Sequence, residues 1–217
     1  MMAYQAAARS ALSTLTEHGK GALAWDLVER AFVLLMMAAF AIRFNPHIHE
    51  SVCNLLIMIS EGMTGLMILI RRPGPMMNTG YGWAIAVIGT FSPLLVVPGG
   101  VDWMPPAVAV GLMTSGLLCS ISAKIFLRRS FGIVPANRGV QREGPYQIVR
   151  HPIYFGYLLA QLGFLSQSLS LFNLLVYGAC WMAMILRIRA EEEVLSTSPE
   201  YLEYQQAVTK RLIPFVW

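Results

Sequence analysis

The chain predicts an all-α fold, a polytopic membrane helix bundle, and three observations carry that prediction. Of its 217 residues, 56% are hydrophobic and only 13% charged, whereas soluble domains carry about a quarter charged; the mean hydropathy is +0.55. Apolar residues gather in blocks close to the roughly 20 residues that one helical crossing of a bilayer needs. Lys and Arg collect in alternate connections between those blocks. No long Ser, Gly or charge run marks a linker, so residues 1–217 fit a single integral membrane domain. Within it, residues 1–127 supply N-terminal membrane helices, and residues 135–217 a C-terminal helical hairpin and tail.

The candidate crossings are 27–44, 51–70, 81–98 and 106–127, followed by a longer tract over 153–186. The first is the weakest. Asp26, Glu29 and Arg30 leave a strictly apolar run only from Ala31 to Ile42, which also suits a tilted or interfacial helix. The last is too long for one crossing at about 1.5 Å per residue. Ser166, Gln167, Ser168, Ser170 and Asn173 interrupt its middle, so it reads as two crossings joined by a polar turn. The expected total is six crossings, or five if the first segment does not span.

The loops can then be signed. Arg71 and Arg72 follow the second segment, and Lys124, Arg128, Arg129, Arg138, Arg142 and Arg150 crowd the connection after the fourth. Arg187, Arg189, Lys210 and Arg211 follow the last. The intervening connections VPGGVDWMPP and SQSLSLFN contain no Lys or Arg. Positive charge marks the cytoplasmic side, so both termini and these three basic regions are expected there. The net charge of +4 needs no nucleic-acid partner. Up to Glu17 there is no basic-then-apolar block, and a removable signal peptide is not expected. Cys53, Cys119 and Cys180 lie singly in apolar segments and read as small buried hydrophobes.

Chemistry is expected at the cytoplasmic boundary. In GPYQIVRHPIYFGYLL, residues 144–159, Pro152 suits the first turn of a helix, which puts Arg150 and His151 at a helix N-terminus where backbone N–H groups favour anions. The plainer alternative is a basic headgroup boundary. Downstream, Arg187 and Glu191 are four apart and share a helix face, with Glu192 and Glu193 beside them. Three carboxylates at the end of a membrane helix oppose its dipole and so call for a cationic partner, either an arginine or a ligand. Glu61 stands mid-way along an apolar segment, where an ionisable group suggests function or a hydrogen-bonded helix contact about equally. His47 and His49 in NPHIHE read as a solvated loop rather than a metal site. There is no G-x-G-x-x-G after a strand pattern, no Walker loop, no HExxH and no CxxC, so any cofactor must be held by the membrane fold itself.

Three strings in order, GPYQIVRHPIYFGYLL, RIRAEEEVL and YLEYQQAVTKRLIP, resemble the isoprenylcysteine carboxyl methyltransferase family and its relatives among membrane phospholipid methyltransferases. The resemblance covers about residues 135–214; residues 1–125 match only as a set of membrane segments. It implies S-adenosylmethionine bound at the cytoplasmic ends of the last two membrane helices and the C-terminal segment. It also implies that His151, Tyr154 and Gly156 line the pocket near the adenosyl group while Pro152 shapes the backbone. Glu191 and Glu192 would face the cofactor ammonium, and Arg150 and Arg187 would orient carboxylates of cofactor or acceptor. No metal is implied. The acceptor is expected to be lipid-like or amphiphilic, the family's best known being a prenylated cysteine carboxylate. A phospholipid amine methyltransferase is the alternative within enzymes; a small transporter or a non-enzymatic membrane protein is the alternative outside them.

Overall fold

The computed structural model describes residues 15–16, 20–44, 52–71, 76–77, 80–97, 100–132, 135 and 137–213. Apart from a two-residue antiparallel pairing of Leu15–Thr16 with Met76–Met77 and a single antiparallel bridge between Val101 and Leu169, the regular structure of the described residues is helical. The helices are α1 (Lys20–Phe44), α2 (Val52–Ile70), α3 (Gly80–Phe91), α4 (Pro106–Leu127), α5 (Pro152–Gln167), α6 (Leu171–Leu195) and α7 (Pro199–Ala207). Three of them open on proline, at Pro106, Pro152 and Pro199, where the missing N–H would have had no intrahelical acceptor. Side-chain caps start two: Ser170 accepts from the backbone N–H of Asn173, and Ser198 from that of Tyr201.

The tract over 153–186 divides at Ser168–Ser170, among the polar residues that interrupt it. Asn173, fully buried, secures the division by donating to the carbonyls of Val97 at 2.8 Å and Ser168 at 2.7 Å. Its side-chain oxygen accepts from the N–H of Val97 at 3.0 Å. The expected crossing at 81–98 is shorter than the sequence suggests. Helix α3 stops at Phe91, and Pro93 lies in the 3₁₀ turn Ser92–Leu95 that follows, because proline cannot continue the hydrogen-bond ladder.

Two described helical stretches, Pro106–Ser130 and Leu171–Leu195, are long and apolar enough to cross a membrane. Shorter apolar helices span Arg30–Ala39, Met58–Ile70 and Gly80–Phe91. Large apolar side chains such as Leu66, Leu118, Ile125, Leu175 and Met182 stand exposed on the helix faces, as lipid-facing positions would.

Helices α4 and α5 form the most extensive contact in the structure, while α6 packs mainly on α3 and meets α5 much less. Glycine explains the α4–α5 approach. A Cβ at Gly156 would lie 2.5 Å from the carbonyl oxygen of Gly116 and 2.6 Å from the backbone nitrogen of Ser120. Two turns along, a Cβ at Gly163 would lie 2.7 Å from the carbonyl oxygen of Ala109. Small residues seven apart on each helix thus bring two backbones together, as in membrane helix pairs generally. Gly156 therefore has a packing role on the α4 face.

Lys124, which the sequence places with the cytoplasmic arginines, is instead fully buried in α4. Its Nζ donates to the Ser60 carbonyl at 2.8 Å and the Ser60 hydroxyl at 2.7 Å, and it lies 5.2 Å from the centroid of the Tyr157 ring. It ties α2, α4 and α5 together. Its neighbour Glu61 lies in α2 with a side chain outside the described residues, and His47, His49 and Arg72 are likewise outside them. Arg30 and Arg129 each donate at 2.8 Å to the last carbonyls of α2, at Leu69 and Ile70, where a cation also complements the helix dipole.

Because backbone lines the space at Gly156, Gly156→Val should cost about 2 kcal/mol through overpacking. It should lower the unfolding midpoint in detergent, whereas Gly111→Ala, with nothing within 4 Å, should not.

Candidate active site

The head of α5 and the end of α6 meet across a buried cluster of charges. His151 precedes α5 in a non-helical conformation, so the backbone N–H groups of Arg150 and His151 are not used by the helix. They donate to the carbonyls of Lys210 and Arg211, both at 2.9 Å. The guanidinium of Arg150 adds bonds to the carbonyls of Val208 at 2.8 Å and Thr209 at 3.0 Å. Residues 208–213 are thereby strapped across the start of α5. Leu212 and Ile213 pack into the apolar cluster of Tyr154, Cys180, Met184 and Ile188.

The end of α6 supplies the carboxylates, and helical geometry sorts them. Successive residues turn by about 100°, so the three glutamates cannot share a face: Glu192 is buried, Glu191 half-buried and Glu193 exposed. Glu192 Oε1 accepts from Arg150 Nε at 2.8 Å and lies 3.2 Å from His151 Nε2, while Oε2 accepts from Arg211 Nε at 2.9 Å. Glu191 Oε1 accepts from Tyr154 Oη at 2.6 Å and from Arg187 Nε at 3.1 Å, the latter being the expected pair four residues apart. Glu191 Oε2 lies 3.7 Å from His151 Nδ1. His151 therefore stands between the two carboxylates and joins the motifs of α5 and α6.

Arg187 is 7% exposed, and each of its three guanidinium nitrogens has an acceptor. Beyond Glu191 it donates to the Gly132 carbonyl at 2.9 Å and to Thr90 Oγ1 at 3.4 Å, and its guanidinium lies 5.5 Å from the Tyr154 ring centroid. Arg150, His151, Tyr154, Arg187, Glu191 and Glu192 are thus brought into one cluster. Pro152 is buried behind it, and the open side of Gly156 faces α4. Sequence reasoning missed Arg211, which reads there only as positive-inside charge, and the contributions of Thr90 and Gly132. Nothing in their local sequence announces a partner 19 to 97 residues distant.

Helix α7 closes the cluster from the tail. Tyr204 Oη donates to the Tyr146 carbonyl at 2.6 Å. Tyr201 is 3% exposed, yet its hydroxyl has no hydrogen-bond partner. It lies within electrostatic reach of Glu192 and Arg150, and burial pushes both phenols well above their ordinary range, which keeps them protonated donors. A buried hydroxyl without a partner costs about 1–3 kcal/mol, and such a group beside charges marks a position that a polar ligand can complete. Carboxylates, guanidiniums and a spare hydroxyl are a donor and acceptor set that fits the ammonium and carboxylate of S-adenosylmethionine.

A helical membrane protein with a buried polar cluster at one end of its crossings is the class that fold and site define. The model of the isoprenylcysteine carboxyl methyltransferase (ICMT) family matches residues 110–197, which bears out the resemblance carried by the motifs and supports a membrane methyltransferase in general. The matched stretch begins within α4 and ends just beyond α6, so α7 and the strap lie outside it. No curated protein and no solved structure matches the chain.

Glu192→Leu would leave Arg150 and Arg211 without their shared carboxylate. Removing one partner of a buried ion pair costs about 3 kcal/mol or more, and denaturant unfolding in detergent should show that loss. Glu193→Leu, at an exposed position, should stay within about 0.5 kcal/mol.

Proposed function

We propose that the chain is an S-adenosylmethionine-dependent methyltransferase that esterifies the carboxylate of a lipophilic acceptor, working at the cytoplasmic face of a multi-pass bundle. The observation that carries this reading is His151 held between Glu191 and Glu192, which unites the basic head of α5 with the acidic end of α6. The cofactor would supply a methyl group already activated on a sulfonium. The protein then has to bind, orient and exclude water.

On this reading Glu191 and Glu192 would receive the cationic end of such a ligand, and Arg187 would orient a carboxylate beside the Tyr154 ring. Tyr201 offers a further donor. An amphiphile suits a polar cluster that sits where large apolar side chains on the helix faces meet the membrane. One feature favours a carboxylate acceptor over an amine. An amine must lose a proton, and although burial alone would raise the Glu192 carboxyl, the hydrogen bonds and charges of His151 and Arg150 hold it down at about 2, which makes it a weak base. A carboxylate acceptor needs no base.

The test is methyl transfer from labelled S-adenosylmethionine to a membrane lipid extract by purified protein in nanodiscs. Label should appear in the organic phase and be released as methanol by mild alkali, as from a methyl ester. Arg187→Met should lower the rate by about 100-fold, the scale of a lost orienting contact. Alkali-stable label would point to an amine acceptor. Bound cofactor with no transfer to any lipid fraction would overturn the reading.

A further inference from the structure

We propose that Arg211 is a displaceable occupant of a cation subsite on Glu192, holding the place of a ligand's primary ammonium and swinging out when that ammonium binds. The inference rests on the cofactor reading above and goes beyond it by naming a residue in the strap, outside the stretch that matches the family.

The two oxygens of Glu192 are used differently. Oε1 takes Arg150 and His151, both buried and both fixed by backbone bonds at the head of α5. Oε2 takes Arg211, whose side chain is 40% exposed and so has a direct path to water. The site already sets the guanidiniums of Arg150, Arg187 and Arg211 against the carboxylates of Glu191 and Glu192. A further cation added to that surplus of positive charge would be repelled, and exchange for a resident cation is favoured over addition. Arg211 is by far the most exposed of the three residents. Arg150 and Arg187 would each give up bonds to buried backbone carbonyls.

The strap itself need not open. Its backbone is pinned by the N–H groups of Arg150 and His151 and by the Arg150 guanidinium, none of which involves the Arg211 side chain. Leu212 adds an apolar anchor beyond it. The buried, unpartnered hydroxyl of Tyr201, near the same carboxylate, points independently to a ligand at this spot. In this arrangement Arg211 keeps Glu192 satisfied while the site is empty and competes with the incoming ammonium. The affinity measured for the ligand is then reduced by the fraction of molecules in which Oε2 is free.

Calorimetric titration of S-adenosylhomocysteine into full-length protein in detergent tests this, with Arg211→Met and Arg211→Lys beside the natural chain. The thermal midpoint of each variant without ligand reports whether it folds. Arg211→Met should bind about fivefold to tenfold tighter because the competitor is gone, and Arg211→Lys should fall between. An analogue lacking the amino group should gain nothing from Arg211→Met. Unchanged or weaker binding by folded Arg211→Met would overturn the exchange and leave Arg211 a fixed strut, with the cofactor reading intact. An equal gain for the analogue without the amino group would overturn it as well. Absence of binding by the natural chain and by both folded variants would overturn the cofactor reading and the exchange with it. If Arg211→Met does not fold, Arg211→Lys decides by the same comparison.

Discussion

The carboxylate of Glu192 is the constraint on which the polar end of this bundle, where α5 begins and α6 ends, depends. Its two oxygens meet groups from the head of α5 and from the C-terminal strap, while its backbone belongs to the end of α6. Three separate parts of the chain are thereby held at one point. A carboxylate taken so far out of water is tolerated only when its lone pairs are satisfied by cations and hydrogen bonds. That requirement works in both directions: the buried glutamate needs cationic partners, and the buried guanidinium of Arg150 in turn would be costly without it. Glu191 and Arg187 repeat the arrangement one face away, and His151 couples the two pairs.

The helix packing explains why the cluster has to carry this load. Small residues draw α4 and α5 into close backbone contact, and α6 leans on α3 instead. Between α5 and α6 the polar ties are the charge cluster, the turn secured by Asn173 and the Trp181–Gln161 hydrogen bond of 2.7 Å, and the Phe164–Tyr177 ring contact and the cluster of Tyr154, Cys180, Met184 and Ile188 pack between them. Under the proposed function, a charged cofactor would be held at the polar end while the tail of a lipid-like acceptor stays in hydrocarbon.

Much of this was legible in the sequence because it follows from local rules. Proline at a first helical position announced the start of α5, and polar residues at 166–173 announced the division between α5 and α6. The four-residue spacing of Arg187 and Glu191 predicted the pair that forms. What stayed hidden depends on tertiary context. Spacing alone could not rank Glu191, Glu192 and Glu193, since their order of burial depends on where α5 and the strap lie. Lys124 and Arg138 count as loop charges by composition, yet both are buried; a long side chain can carry its charge to a partner far away in sequence, as Lys124 does with Ser60. Gly156 sits inside the motif GPYQIVRHPIYFGYLL but has a neighbouring helix against it. Arg211 looks like any positive-inside residue until the strap brings it to Glu192.

The most direct test of the Glu192 tie is a double-mutant cycle between Arg150 and Glu192, using Arg150→Met, Glu192→Gln and the pair, with unfolding free energies measured in one detergent. Residues sharing a buried charged hydrogen bond should couple by about 2 kcal/mol, so the double variant should be far less damaged than the sum of the singles. Strict additivity of the two losses would show that the carboxylate and the guanidinium do not depend on each other, and would contradict the account.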